Sequence, residues 1–430
     1  MTIQADMQMH HAALPKIIAS DINATPSQAS AAIKLLDEGA TVPFIARYRK
    51  EVTGGLDDTQ LRLLEERLTY LRELNSRRET ILNSILEQEK LSDELRKQIN
   101  AVESKTELED LYLPYRPKRR TRAQMAIEAG IEPLADLLFN NALTENIEQL
   151  ASQYLNPEHQ FNDTKQVLDG ARFILIERIS ENATLLGKLR QYLWDHAKLH
   201  ANVQSGKEDA GNNYKDYFEF SENIKTIPSH RALALLRGRN EDILNLDLKL
   251  PEELEDAPQG MIASTFAFSN PHDWLKDTIR LSWRAKLNLS LSLELINQLK
   301  EAAETEAIKV FARNLKDLLL ASPAGEKVIL GIDPGLRTGC KVAVVDRTGK
   351  LIDTATIFPH APMNRGNESL HTLSQLVEKH QPDLISIGNG TASRETDKLA
   401  GYLCKKFPKL SKAVISEAGA SVYSASALAA

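Results

Sequence analysis

Cysteine is nearly absent: Cys340 and Cys404 are the two in 430 residues, far apart and without a CxxC pair. That usage excludes a disulfide framework and a thiolate zinc site, fits a reducing compartment, and makes a cytoplasmic protein the expectation. Long apolar runs are missing as well. No stretch approaches the roughly 18 uninterrupted apolar residues of a membrane span, and the opening MTIQADMQMHHAALPKII lacks a basic region followed by an apolar core. Membrane insertion and export are therefore not expected. Nor is there an excess of positive charge: 53 Lys+Arg stand against 59 Asp+Glu, a net charge of −6. Any nucleic-acid contact must then be local, because no basic coat exists to supply a general one. The deficit is uneven, with 13 Lys+Arg against 10 Asp+Glu in residues 326–430 and 40 against 49 in residues 1–325. Internal repeats and low-complexity segments are also lacking. What remains, 42% hydrophobic and 26% charged, is the composition of a folded multidomain protein.

Residues 1–325 read as helix after helix. Thr25-Pro26-Ser27-Gln28 joins an N-cap, a first-turn proline and a capping-box glutamine, and the helix it opens stops at Gly39. TVPFIARYRKEVTGGLDD, interrupted by Pro43 and Gly54-Gly55, reads as a partly irregular connector whose Phe44 and Ile45 belong in a core. Leu61, Leu64, Leu68, Leu71, Leu74, Ile81 and Ile85 then mark one long amphipathic helix. Ser92 and the box Ser104–Glu107 open two more, the second ending near Tyr112. Further helices are expected around 144–155, 164–179 and 182–203, followed by an irregular patch, a short strand LNLDLKL, and a helix of more than 30 residues ending in NLKDLLL. SPAGEK, residues 322–327, punctuates the chain, so the expected divisions are 1–205, 206–325 and 326–430.

Past SPAGEK the period changes. VILGID, KVAVVD and KLIDTATIF form three strands joined by tight turns, followed by a helix, the strand DLISIGNG, a second helix and the strand AVIS. The order βββαβαβ with a five-stranded mixed sheet is what a ribonuclease H-like α/β fold requires, here incomplete at its C-terminal end. The fold class is thus multidomain: a mostly α-helical first part, then an α/β domain.

Asp333 is the first candidate for chemistry, at the end of a strand where Pro334-Gly335 turns its carboxylate outward and Gly339 allows close approach of the next strand or a phosphate. GxDxGxxxG, Gly331–Gly339, is shared by metal-dependent nucleases and actin-like ATPases; a Walker A loop is not present. Two-metal phosphodiester hydrolysis, with Mg the candidate ion, needs several converging carboxylates. Glu395 and Glu417 are available, but DLISIGNG ends in Asn389, a neutral amide and a poorer Mg ligand. The second candidate is Tyr115–Arg122, where Arg116, Lys118, Arg119, Arg120 and Arg122 would neutralise phosphates while Tyr112 or Tyr115 stacks on a base; a solvated charged loop is the plainer alternative. Arg47, Arg49 and Lys50 form a smaller basic knot, with Arg47 expected to pair with a buried acid. His196 and His200 have i, i+4 spacing, but Ala197 breaks the HExxH logic of a zinc site.

Taken together, TVPFIARYRKEVTGGLDD, LEDLYLPYRPKRRTRAQMA, IPSHRALALLRGRNEDIL, GIDPGLRTGCKVAVVD, IGNGTASRETD and ISEAGASVYSAS closely resemble the Tex family of bacterial transcription accessory proteins, from about residue 10 onward. The resemblance implies helix-turn-helix-like elements in the helical part and a YqgF (RuvC-like) domain at 326–430, with helix-hairpin-helix motifs and an S1 RNA-binding domain following in the family. It implies a noncatalytic factor that binds RNA or DNA and acts on transcription beside RNA polymerase. It also maps Asp333 and Glu417 onto two nuclease acids, a vestigial site. Ala427 stands where the family usually has an acidic residue.

Overall fold

The structure is a computed structural model that describes residues 3–140, 146–320 and 322–424. Ala427 and the first residues of the helix expected at 144–155 lie outside them. The chain divides by contacts into Met1–Glu301 and Ala302–Ala430.

The first unit opens with α1 (Ile3–Asp21), α2 (Pro26–Asp37), α3 (Val42–Tyr48), α4 (Asp58–Glu87), α5 (Asp93–Ala101) and α6 (Lys105–Tyr112). Their starts are those the capping residues dictate. Thr25 and Asp57 each accept from the third backbone N–H of their helix, and the glutamine at that position returns the bond to the cap. The leucine stripe of α4 is buried from Leu61 to Ile85 against Ile18, Ile45 and Leu108. Ile45 is indeed core, fully buried, but Phe44 is 40% exposed and Arg47 faces solvent without an acidic partner among the described residues. The reason is local: α3 is only 7 residues long and buries one edge, Val42 and Ile45, so its other positions turn outward.

The unit continues through α7 (Arg122–Glu128), α8 (Glu132–Phe139), α9 (Ile147–Ser152), α10 (Thr164–Ser180) and α11 (Ala183–His196). Next come β1 (Lys198–Val203), β2 (Glu219–Asn223), α12 (Ser229–Asn240) and β3 (Leu244–Lys249), then α13 (Ala257–Thr265), α14 (Asp273–Ser282) and the long α15 (Asn288–Leu319). The three strands form an antiparallel sheet in the order β2-β1-β3. The strand expected at LNLDLKL is β3. The helix expected to reach residue 203 instead ends at His196, and Lys198–Val203 is a strand whose Leu199 and Ala201 alternate inward. No glycine or proline marks that switch; the period-2 pattern of Leu199, Ala201 and Val203 is the signal.

In the second unit β4 (Ile329–Asp333), β5 (Cys340–Val345) and β6 (Leu351–Ile357) form the antiparallel half of a sheet, and α16 (Gly366–His380), β7 (Leu384–Gly388), α17 (Ser393–Lys406), β8 (Ser411–Ile415) and α18 (Ala418–Ser424) follow. The order is β6-β5-β4-β7-β8, with β4, β7 and β8 parallel, as the sequence reading requires. Alternate residues Leu330, Ile332, Val342, Val344, Ile385 and Ile387 are buried beneath Leu373 and Val377 of α16 and Leu399 and Leu403 of α17. Among the described residues no helix is long and apolar enough to cross a membrane.

Two buried ion pairs tie the helices of the first unit. Arg190 of α11 donates to both carboxylate oxygens of Asp110 on α6 at 3.0 Å and to Glu294 of α15 at 2.5 and 3.2 Å. Asp6 of α1, 3% exposed, accepts from Arg96 Nε at 2.6 Å and from Asn100 Nδ2 at 3.0 Å, both on α5. The Arg96 hydrogen bond, helped by Asn100 and opposed by burial, holds the Asp6 carboxyl below its ordinary range. Replacing Arg190 by Met leaves two half-buried carboxylates facing each other, and the thermal unfolding of the chain should show a loss of about 3–5 kcal/mol. Because the folded Asp6 has the lower pKa, its stabilisation is complete above the unfolded value of about 3.9 and disappears as pH falls through the folded value. An Asp6→Asn variant should therefore melt below the parent at pH 7, by on the order of 3 kcal/mol, with the two melting curves converging as the pH drops below about 4. A gap that persists in acid would exclude the ion pair as its source.

Candidate functional site

Asp333 ends β4 on the sheet face that α16 and α17 leave open, and its side chain is exposed as the Pro334-Gly335 turn predicts. Gly339 is required for that turn. Its φ is +79°, and a Cβ there would fall 2.8 Å from the Ile357 carbonyl oxygen and 2.7 Å from the Phe358 ring. The close approach expected at Gly339 is thus that of β6. Lys341 of β5 lies directly opposite Asp333 in the antiparallel ladder and lines the same groove, an open depression of about 1010 Å³ floored by Gly331, Ala343, Thr354, Thr356 and Ser386. Small residues floor it because each strand places its bulky alternate residues on the opposite, buried face.

Glu417 reaches the groove from beyond β8. Its carboxylate lies directly on the backbone of β7: a Cβ at Gly388 would overlap Glu417 Oε1, and one at Gly390 would sit 3.2 Å from Oε2. Asn389, between those glycines, accepts the Glu417 backbone N–H on Oδ1 at 3.2 Å and donates its own N–H to the Ile415 carbonyl at 2.9 Å. The amide that stands at the end of DLISIGNG therefore splices β7 to the β8 turn. Glu417 Oε1 is buried with no hydrogen-bond partner among the described residues, a position that an incoming donor would satisfy.

The structure thus brings Asp333, Lys341 and Glu417 to one groove. Glu395 is not among its lining residues; it sits in the first turn of α17 on a different depression, with Arg394 and Lys398. Among the described residues no three Asp, Glu, His or Cys side chains are grouped to hold a metal ion. These residues do not fit a two-Mg centre: two carboxylates are too few, Asn389 Oδ1 is already engaged, and the Lys341 ammonium shares the groove.

The basic loop is anchored to its own fold. Lys118 Nζ donates to Glu177 Oε1 at 2.7 Å and also to Glu181. Burial works against its charge, but the two acceptors outweigh burial and hold the ammonium above its ordinary range. Arg120 pairs with Glu128, and the Arg122 guanidinium lies 5.2 Å from the centre of the Phe173 ring. Tyr112 is buried, its hydroxyl 3.0 Å from Ser84 Oγ, and Tyr115 packs half-buried against the core of the first six helices. Arg116 and Arg119 are exposed, with no hydrogen bond or ion pair to the described residues. Three of the five cations expected to face phosphate are therefore committed, and two remain.

His196 ends α11 against the Tyr192 ring while His200 lies on β1, 3.3 Å from Ser221 Oγ, so the i, i+4 spacing is not a helical pair. Cys340 is buried and Cys404 half-buried, both free thiols. The surface that sequence reasoning passed over is α3 with its following turn, where Phe44 and Tyr48 are exposed beside Arg47, Arg49 and Lys50. Its signal was available: two aromatics four apart, interleaved with cations.

The chain matches three family models: Tex-like protein N-terminal domain over residues 12–86, Tex central region-like over 143–311, and Tex protein YqgF-like domain over 327–430. It is 56% identical over 424 residues to the Transcriptional accessory protein Tex of Neisseria gonorrhoeae, covering 97% of this chain and 55% of that protein. Protein tex of Bordetella pertussis is 51% identical over 444 residues, 100% of this chain and 56% of that protein. The S1 RNA-binding domain-containing protein 1 of Homo sapiens is 29% identical over 433 residues, 96% of this chain and 42% of that protein. The chain thus spans about half the length of the bacterial relatives it matches. Successive Tex models along the chain, and bacterial relatives aligned over nearly all of it, agree with the mixed sheet and its two-acid groove: this chain belongs to the Tex family.

Proposed function

We propose that this chain is a noncatalytic, nucleic-acid-binding part of a transcription accessory factor, a scaffold that works beside RNA polymerase. The observation that carries the noncatalytic half of this reading is the Asn389 splice. Its oxygen is engaged by the Glu417 backbone, so the position that a nuclease would fill with a ligand serves instead to join two strands. The binding half is supported by Arg116 and Arg119, which stand exposed on a loop whose other cations are fixed by Glu177, Glu181, Glu128 and Phe173. A loop held in this way presents its two free guanidinium groups to phosphate with little ordering cost. The names of the relatives, one a transcriptional accessory protein and one an S1 RNA-binding domain protein, agree with this reading.

The nuclease reading keeps one observation in its favour. Asp333, at the end of β4, and Glu417, beyond β8, face one groove, Glu417 lying over Gly388 of the intervening β7.

Binding of a fluorescent oligo(U) to the chain, followed by anisotropy over a range of salt concentrations, separates these readings. Replacing Arg116 and Arg119 by Ala should weaken binding and reduce the slope of log K against log salt by about 1.4, two single-strand phosphate contacts. Lys118→Ala should instead lower the melting temperature, because it leaves Glu177 and Glu181 unpaired, half-buried and close together. An unchanged slope in the double variant removes the loop from the interface. Mg-dependent shortening of the same oligonucleotide by the chain, lost in Asp333→Asn, would replace the scaffold reading with the nuclease.

A further inference from the structure

The segment Phe44–Val52 leaves exposed what folding normally hides. Phe44 is 40%, Tyr48 56% and Val52 49% exposed, on the side of α3 and its turn away from the buried Val42 and Ile45. The two rings are four residues apart on one helix face, with centroids 5.4 Å apart and planes tilted by 47°. The Arg49 guanidinium lies 5.3 Å from the Phe44 ring centre and donates to the Tyr48 carbonyl at 3.0 Å. Arg47 and Lys50 are exposed, and their side chains make no hydrogen bond or ion pair to the described residues. The acids nearby are mostly engaged elsewhere: Asp57 caps α4 through the Gln60 N–H at 2.8 Å, and Asp58 pairs with Arg62 at 2.8 Å. Glu51 is the one acid within residues 44–52.

The backbone beneath this surface is fixed. Thr53 is fully buried, and its hydroxyl is placed to donate to the Arg49 and Lys50 carbonyls at 3.4 and 3.2 Å. The Gly55 N–H closes on the Lys50 carbonyl at 2.9 Å, and Gln28 Nε2 donates to the Gly54 carbonyl at 2.8 Å. Gly54 and Gly55 have φ of +62° and +91°, and a Cβ on Gly54 would press on the Gln28 side chain at 3.1 Å. The backbone that carries the rings and cations is therefore set before any partner arrives.

We propose that this surface is a second nucleic-acid contact, separate from the loop at Tyr115–Arg122, and that it takes a single strand: bases stack on Tyr48 and Phe44 while Arg47 and Lys50 meet the flanking phosphates. Exposed aromatic rings reward unstacked bases, which a duplex does not offer, and two cations within three residues of a ring suit a phosphate backbone. The inference rests on the reading that the chain binds nucleic acid, and it adds a site which that reading does not need.

The test uses the 430-residue chain with labelled oligo(U) and oligo(dT) by anisotropy, thermal melts confirming that each variant is folded. Tyr48→Ala should weaken binding about tenfold, and Tyr48→Trp, which keeps a stacking face, should bind as the parent does. Arg47→Ala with Lys50→Ala should lower the salt slope by about 1.4, independently of the Arg116 and Arg119 variant. Equal effects on the two oligonucleotides mean a general single-strand site, and a larger effect on oligo(U) means an RNA site. If the parent binds and the loop variant weakens it while Tyr48→Ala does not, this inference fails and the proposed function stands. If the parent binds neither oligonucleotide, both fail. If Tyr48→Ala abolishes binding of an oligo-glutamate peptide but not of either oligonucleotide, the surface belongs to an acidic protein partner and the inference is overturned.

Discussion

Arg190 gathers two carboxylates from distant parts of the sequence, Asp110 on α6 and Glu294 on α15, onto α11, and the helical unit is organised around that charge. A guanidinium with 14% side-chain exposure is tolerable only if its donors are met, and here four bonds to two acids meet them. The planar fork gives each carboxylate two hydrogen bonds in a fixed geometry, where the ammonium of a lysine would meet each acid as a point charge. The register of α15 against α11 and α6 is therefore set by a geometric requirement that a purely apolar seam, tolerant of sliding, would not impose. The Asp6 pair acts in the same way between α1 and α5.

In the second unit the governing constraint is the alternation of the strands. Every buried branched residue of β4, β5 and β7 has a small or polar neighbour on the other face, so the same pattern that builds the core beneath α16 and α17 clears a groove opposite them. Asp333 is exposed as a consequence of being the odd-face residue at a strand end. The groove's chemistry is then decided by what borders it: an ammonium across the ladder and a glutamate lying on glycine.

Most of this architecture could be read from the sequence because it is written in local signals. The capping box at Thr25, the leucine stripe of α4, and the change to short β runs after SPAGEK each depend on neighbouring residues, and each has its counterpart in the structure. Asp333 and Glu417 were paired only by what the family resemblance implied, and the structure has both lining one groove. What escaped depended on contacts distant in sequence. Lys118 and Arg120 looked free until Glu177, Glu181 and Glu128 were seen beside them, and Arg47 looked paired until no acid was found there. Phe44 was read as core because it is apolar, yet burial on a two-turn helix depends on which edge meets the neighbouring helices. Lys198–Val203 was absorbed into a helix because nothing but Ala197 separates the two periods.

The glycines under Glu417 bear on how this groove could change through evolution. A carboxylate in place of Asn389 would arrive beside Glu417, because the amide there already holds the Glu417 backbone N–H. Aspartate at that position would still accept the Glu417 N–H but would set a further negative charge beside a carboxylate already seated on backbone. Any larger residue at Gly388 would evict Glu417 from the groove. A fuller set of carboxylates in this groove is thus opposed by charge at position 389 and by space at position 388.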